Sequence, residues 1–265
     1  MKVDMHIHST ISDGSEDIET IIKTAETNNL DAIVIVEHDF LCPYNEKLQS
    51  DKVQVQVGIE ISAAYQKTKT KAHILGYCIK KSELINTVTQ RILYERNENS
   101  MKQIKILNNN GYQIDMDELS KANGLYIYKQ HIMEHLVKNK QVSEMFGDFY
   151  QTTFKKNGIC DFDIKYINVF EAIRSIKEAG GLAVLAHPGQ QQNFWLIPKM
   201  VEFGLDGIEL NHHANNEKDR FVIEKLAKRY NLFLTGGSDY HGQFSKEVVE
   251  IGDYLSHRSG VEMIF

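Results

Sequence analysis

Two hydrophobic rhythms alternate along this 265-residue chain. Residues 3–8 predict a strand, and residues 15–29 an amphipathic helix with Ser15 as N-cap and acids in its first turn. Residues 32–37 (AIVIVE) are continuous and β-branched, as in a strand buried on both faces. Residues 53–60 alternate Val and Gln before ending in Gly-Ile-Glu, and residues 72–79 follow a polar turn of Lys and Thr. Further on, helical periodicity at 168–179, 196–203 and 216–230 is answered by apolar runs at 182–187, 207–210 and 232–236. Helix followed by strand, repeated in this way, predicts an α/β fold with a largely parallel sheet. The middle breaks the rhythm, with one long helix predicted over 83–109 and few strand signals after it. We read residues 1–80 and 161–265 as one barrel-like domain and residues 81–160 as a helical insertion.

Composition narrows the classes. A hydrophobic share of 42% and a charged share of 25% exclude a disordered or fibrous chain. With 30 Lys and Arg against 36 Asp and Glu, the formal charge of −6 excludes gripping nucleic acid through bulk positive charge. Three dispersed cysteines without a CxxC pair fit neither a disulfide scaffold nor a thiolate zinc site. Charge interrupts the N-terminus early, and no apolar run approaches the ~20 residues of a membrane span. The expectation is a soluble, cytoplasmic protein without a membrane partner.

The candidate chemistry lies where the predicted strands end. His6 and His8 are two apart, so on one strand both imidazoles share a face. Asp13 falls in the Ser-Asp-Gly turn just beyond them; His38 and Asp39 follow the AIVIVE run; Glu60 closes the third strand. His73 opens HILGY, His187 ends GLAVLAHPG, and Asp239 and His241 follow LTGGS. Singly, each is more often a satisfied core or surface polar group than a ligand. In parallel α/β barrels, however, C-terminal strand ends and their loops converge on one face, where active sites form. A nitrogen and carboxylate set without thiolate suits Zn²⁺, Mn²⁺ or Fe²⁺. His6, His8, Asp13, His38, Glu60, His73, Asp239 and His241 exceed one tetrahedral site, which implies two or three ions. Three divalent ions would also bring the formal charge of −6 to neutrality. Clustered ions that clamp substrate oxygens and hold a bridging hydroxide suit phosphate-ester hydrolysis.

The stretches DMHIHST, SDGS, EHD, GIEIS, HILGY, GGLAVLAHPG, GLDGIEL and TGGSDYHG, in this order, resemble the PHP (polymerase and histidinol phosphatase) family of metal-dependent phosphoesterases. The resemblance implies a distorted (β/α)7 TIM-like barrel with a helical insertion and a two- or three-metal site. It implies His6, His8, Glu60 and Asp239 on one ion, with Glu60 bridging to a second held by His73 and, from the insertion, His131. Asp13, His38 and His241 would form a third set, with Asp13 also counted as catalytic. His187 would contact substrate or protonate a leaving oxygen, and His213 would touch substrate. The substrate implied is a small phosphorylated metabolite or nucleotide, attacked by a metal-bridging hydroxide, with no strong nucleic-acid binding. Two departures stand out: Phe40 where the family often has a small polar residue, which would change the pocket wall, and Lys129-Gln130 where nucleotide phosphatases of the family have Arg-Pro.

Other readings compete. His131-Ile132-Met133-Glu134-His135 matches the literal H-x-x-E-H signature of inverzincin peptidases, but leaves the strand-end histidines unexplained. An amidohydrolase-like enzyme would use the same metals on a non-phosphate bond, an exonuclease would act on oligonucleotide ends, and a degenerate domain would bind metal without turnover. The basic residues of 216–229 read as a solvated outer helix, His212 as an exposed neighbour of His213, and Asp115 and Asp117 receive no role.

Overall fold

The computed structural model describes residues 1–43, 48–123 and 126–265. Eight strands form one sheet: β1 (Val3–Ile7), β2 (Ala32–His38), β3 (Gln54–Tyr65), β4 (Thr70–Tyr77), β5 (Ile167–Asn168), β6 (Leu182–Leu185), β7 (Gly207–Asn211) and β8 (Phe233–Gly236). Seven run in the order β1-β2-β3-β4-β6-β7-β8, and β5 is a short addition to β3. The sheet curls until its ends meet: Ile7 bridges Tyr240, the amide of His8 donates to the Tyr240 carbonyl, and that of Asp239 donates to the His6 carbonyl. The chain thus forms the expected α/β barrel, distorted at one place. β4 runs antiparallel to both β3 and β6, because β3 and β4 are a hairpin closed by a tight turn with Lys69 at φ 58°. The strand signal that stops at Glu60 in the sequence therefore continues to Tyr65, well past the barrel mouth.

Apolar side chains fill both faces of this sheet. Val3, Met5, Val34, Val36, Leu75, Tyr77 and Val184 come from four strands and pack together in the lumen with Ala186, the residue after β6. Tyr77 spans it, its hydroxyl donating to the carbonyl of Met5 at 2.9 Å. On the outer face Ile7, Ile33, Ile35 and Val55 meet Ile18, Ile21 and Ile22 of α1 (Ile18–Thr27). Each such buried side chain contributes roughly 1.5–3 kcal/mol. β1 contributes to both layers through a bulge. Between Asp4 and Ile7 it carries one residue more than β2 does between Ile33 and Ile35. A bulge re-aims side chains, so Met5 stays in the lumen while His6 and His8 also turn to the inside of the mouth.

The N-cap of α1 is Asp17, which accepts from the amide of Thr20, and not Ser15. Residues 9–16 are held instead in a compact turn, with Gly14 N donating to Ser9 O and Thr10 N to Glu16 O, which delays the helix. Ser15 Oγ accepts from Gln243 N across the mouth.

Helices α2 (Ser82–Asn109), α3 (Met116–Asn123), α4 (Lys129–Lys138) and α5 (Asp148–Thr153) lie between β4 and β5. They share a core of their own around Ile104, Leu107, Ile132, Leu136 and Phe154. The first half of α2 joins the barrel core through Ile85 and Ile92, beside α6 (Val169–Glu178). Helices α7 (Pro188–Gln191), α8 (Ile197–Glu202), α9 (Glu217–Tyr230) and α10 (Arg258–Ile264) complete the described α-helices. Among the described residues no helix is long and apolar enough to cross a membrane.

Barrel closure leaves no room beside β1. A Cβ on Gly237 would sit 2.3 Å from the Cβ of His6 and 2.4 Å from its amide nitrogen. We therefore expect Gly237→Ala to cost about 1–3 kcal/mol by overpacking. Urea denaturation should show the lower midpoint, and an unchanged midpoint would mean that the closure is looser than described.

Candidate metal centre

The polar residues of the strand ends converge on Glu60. Its position is fixed twice, opposite His38 in the parallel pairing with β2 and opposite Leu75 in the antiparallel pairing with β4. Five imidazoles approach its carboxylate: His6 Nε2 at 3.4 Å, His8 Nε2 at 3.2 Å, His38 Nδ1 at 3.0 Å, His73 Nδ1 at 2.9 Å and His187 Nε2 at 2.9 Å. His73 reaches it because β4 is reversed, so that the beginning of this strand, and not its end, lies at the mouth. Asp239 Oδ1 sits 3.2 Å from both His6 Nε2 and His8 Nε2. Asp13 faces His241 at 3.3 Å and His38 at 3.8 Å.

Three overlapping sets of ligand-type atoms result: His6, His8, Glu60 and Asp239; His8, Asp13, His38 and His241; and His38, Glu60 and His73. Several of these atoms are buried yet make no hydrogen bond, among them His6 Nε2, both nitrogens of His8, His38 Nδ1, Glu60 Oε2, Asp13 Oδ1 and Asp239 Oδ1. Buried polar atoms are normally satisfied. Seven such atoms aimed at common points fit divalent cations far better than a hydrogen-bond network. A neutral imidazole has one lone pair to give, so His8 and His38 can each serve one set at a time.

Supporting groups hold these side chains in place. Glu209 accepts from His6 Nδ1 at 3.0 Å and from the backbone amide of His187 at 2.8 Å. A carboxylate behind a ligating imidazole fixes its ring orientation and tautomer. Glu37 accepts from Ser9 N, Ser9 Oγ and Ser12 Oγ, and so shapes the turn that carries Asp13. Asp39, His187 and Asp239 all have left-handed backbone (φ 58°, 26° and 54°) at the ends of β2, β6 and β8. Such strain costs about 1–3 kcal/mol per residue and clusters where function requires it.

Not every expected residue joins. His131 sits at the start of α4, where its Nδ1 accepts from the amide of Tyr128 at 3.2 Å and its ring lies between Tyr128 and Phe244. It belongs to none of the three sets, and its Nδ1 is used as a helix cap. The insertion reaches the centre through the preceding residue, as Gln130 Nε2 donates to Asp13 Oδ2 at 2.8 Å. His135 contacts Asn139 and lines a separate cavity on the insertion, so the H-x-x-E-H pair does not form a metal site among the described residues. Phe40 packs against the layer around α1 rather than lining the pocket. His212, read as an exposed neighbour, is buried 3.3 Å from Asp239 Oδ2, while His213 lines the open cavity.

The sequence reading missed Glu209, Glu37, Gln130 and Arg96. An acid within an otherwise apolar strand, as in GIEL and VIVEH, is the signal that would have found the first two. Arg96 of α2 donates to Asp39 Oδ2 at 2.6 Å and to Ser62 Oγ at 3.0 Å, tying the insertion to the ends of β2 and β3.

These features agree with relatives. The PHP domain family model matches residues 4–181. A phosphoribosyl 1,2-cyclic phosphate 1,2-diphosphodiesterase of Eggerthella lenta is 38% identical, over 92% of this chain and 95% of that one. The 5′-3′ exoribonuclease Rnm of Escherichia coli is 23% identical over 99% of this chain and 92% of its own length. A crystal structure from Bifidobacterium adolescentis, described as a metal-dependent phosphoesterase, superposes with a TM-score of 0.88 at 24% identity, covering 99% of this chain and 94% of that one. The chain belongs to the PHP family, whose fold and site define a metal-dependent hydrolase acting on phosphoric ester bonds.

Two outcomes follow from the geometry. Glu209→Gln keeps the shape but weakens the hold on His6, and should lower metal affinity about 10–100-fold in chelator competition; an unchanged affinity would make Glu209 a core group only. Burial disfavours a proton on His8, but the surrounding Asp239 and Glu60 outweigh it and raise its pKa to about 10. An imidazole that holds a proton at neutral pH must lose it to coordinate a cation, so metal affinity rises with pH. Adding Mn²⁺ to metal-free protein at about pH 8 in weak buffer should release protons, and the absence of any acidification would contradict this arrangement.

Proposed function

We propose that this phosphoesterase hydrolyses a small phosphorylated metabolite or nucleotide, with two or three divalent ions (Zn, Mn or Fe) held by His6, His8, Asp13, His38, Glu60, His73, Asp239 and His241. The observation that carries this reading is the overlap of the three ligand sets at the floor of a cavity of about 780 Å³. That volume suits a small ligand. When bound, such ions neutralise charge on phosphoryl oxygens and make water a competent nucleophile near neutral pH.

The chain's own groups then divide the remaining work. Glu60, shared by two of the sets, keeps them in register. Asp13, anchored by Gln130 and by the turn under Glu37, borders the cavity and takes the catalytic role nearest the His38 and His241 side. His187 lines the same floor with Nε2 on Glu60 and its buried Nδ1 unpartnered, placed to contact substrate or pass a proton to a leaving oxygen. His213, half-buried at the wall, is placed to touch substrate; burial lowers its pKa, so at neutral pH it is an uncharged contact. The free thiols of Cys42, Cys78 and Cys160 accord with a reducing, cytoplasmic setting.

Metal analysis of protein purified without added metal, paired with a phosphate-release panel of mono-, cyclic and bisphosphorylated compounds, tests this reading. We expect two or more ions per chain under replete conditions and release from small substrates. Fewer than two ions would sink the polynuclear site, and cleavage of long RNA exceeding that of every small ester would replace the substrate class.

A further inference from the structure

His212, the residue after β7, is fully buried and belongs to none of the three ligand sets. Its two ring nitrogens have different partners. Nδ1 accepts from the backbone amide of Ala214 at 3.0 Å, and Nε2 lies 3.3 Å from Asp239 Oδ2. A ring nitrogen that accepts carries no hydrogen, so the ring hydrogen sits on Nε2 and is donated to Asp239. The loop that carries His212 is itself pinned. Asn215 N donates to the His212 carbonyl at 3.1 Å, and Asn215 Nδ2 donates to the carbonyls of Glu209 and Leu210. Asn215 Oδ1 accepts from the amide of Gly189 at 2.8 Å, in the turn that follows His187. His212 is thus presented from a fixed backbone in a fixed tautomer.

The two oxygens of Asp239 are divided in the same way. Oδ2 takes the His212 hydrogen bond, whereas Oδ1 is buried without one and lies 3.2 Å from Nε2 of both His6 and His8. Across the same ligand set, Glu209 takes Nδ1 of His6 and leaves its Nε2 unpartnered. We infer that His212 is a positioning residue for the reaction, holding the Asp239 carboxylate with Oδ1 turned toward His6 and His8. The need for such a hold is torsional. A carboxylate rotates readily about its last bond, and His241 Nδ1 offers Oδ1 a rival partner 3.6 Å away. A donor on Oδ2 selects one orientation before a cation arrives, as groups behind metal ligands do. The adjacent His213 lines the cavity instead, so the two neighbouring histidines face different work. The inference rests on the metal-dependent reading of the centre and adds to it a residue that touches neither cation nor substrate.

Two amide substitutions in the full chain test this, with Mn²⁺ affinity read by chelator competition. An Asn amide ends near the place of Nδ1, so His212→Asn keeps an acceptor for Ala214 and withdraws the donor from Asp239. A Gln amide is one carbon longer and reaches the place of Nε2, so His212→Gln restores that donor. We expect His212→Asn to bind Mn²⁺ about 10–100-fold more weakly, and His212→Gln to recover most of the loss. Urea midpoints of the metal-free proteins check that both variants fold. A histidine needed only for packing or for its loop gives equal losses or the reverse order, and either result overturns the inference. So does an unchanged affinity in His212→Asn. If His212→Asn does not fold, His212→Gln decides: near-native affinity sustains the inference, and a loss of about tenfold or more overturns it. An unsubstituted chain that binds no Mn²⁺ overturns the metal-dependent reading and this inference together. Bound Mn²⁺ without hydrolysis of any phosphate ester overturns the substrate reading alone, and the affinities still decide the place of His212.

Discussion

Everything at the barrel mouth is arranged around the buried carboxylate of Glu60. Five imidazoles lie within 3.4 Å of it, and burying a lone carboxylate without such partners would cost several kcal/mol. Three of those imidazoles face further carboxylates in turn, His6 and His8 at Asp239, His38 at Asp13 and His6 also at Glu209. The centre is therefore a single electrostatic unit, in which no one residue is stable where it sits without the others. Its buried, unpartnered donor atoms gather in three sets that could each hold a metal ion.

The scaffold supplies convergence by three departures from regular structure. A bulge in β1 keeps Met5 in the lumen while turning His6 and His8 to the same side. The reversal of β4 presents His73 at the mouth, from the beginning of a strand. Left-handed residues, Asp39, His187 and Asp239, follow within three residues of the ends of β2, β6 and β8. Close approach of Gly237 to His6 seals the ring at the point where both metal-side strands meet. Strain is thus concentrated around the chemistry, while the apolar layers on both faces of the sheet hold it in place.

The insertion is tied into the same unit. Arg96 binds the strand ends through Asp39 and Ser62, and the hydroxyl of Tyr128 donates to the carbonyl of His38. Gln130 holds Asp13 directly. These contacts make the helices between β4 and β5 part of the wall of the barrel mouth rather than an appendage of the barrel.

Local pattern in the sequence determined a good deal. Alternation of helix and strand periodicity marked the barrel elements, since period 2 and period 3.6 are properties of the chain itself. His6, His8, His38, Glu60 and Asp239 were legible because they fall where apolar runs stop. The place of His131 was not legible, because a histidine two residues into a helix can cap it or leave it, and only the seating of α4 against Tyr128 and Phe244 shows its Nδ1 used as a cap. Glu209 and Glu37 were hidden because a buried acid shows its purpose only through partners more than twenty residues away in the chain. The direction of β4, the bulge in β1 and the pairing of Arg96 with Asp39 were likewise decided by tertiary structure alone. Each depends on which distant segments pack together, and that is set by the closure of the barrel and not by any local run of residues.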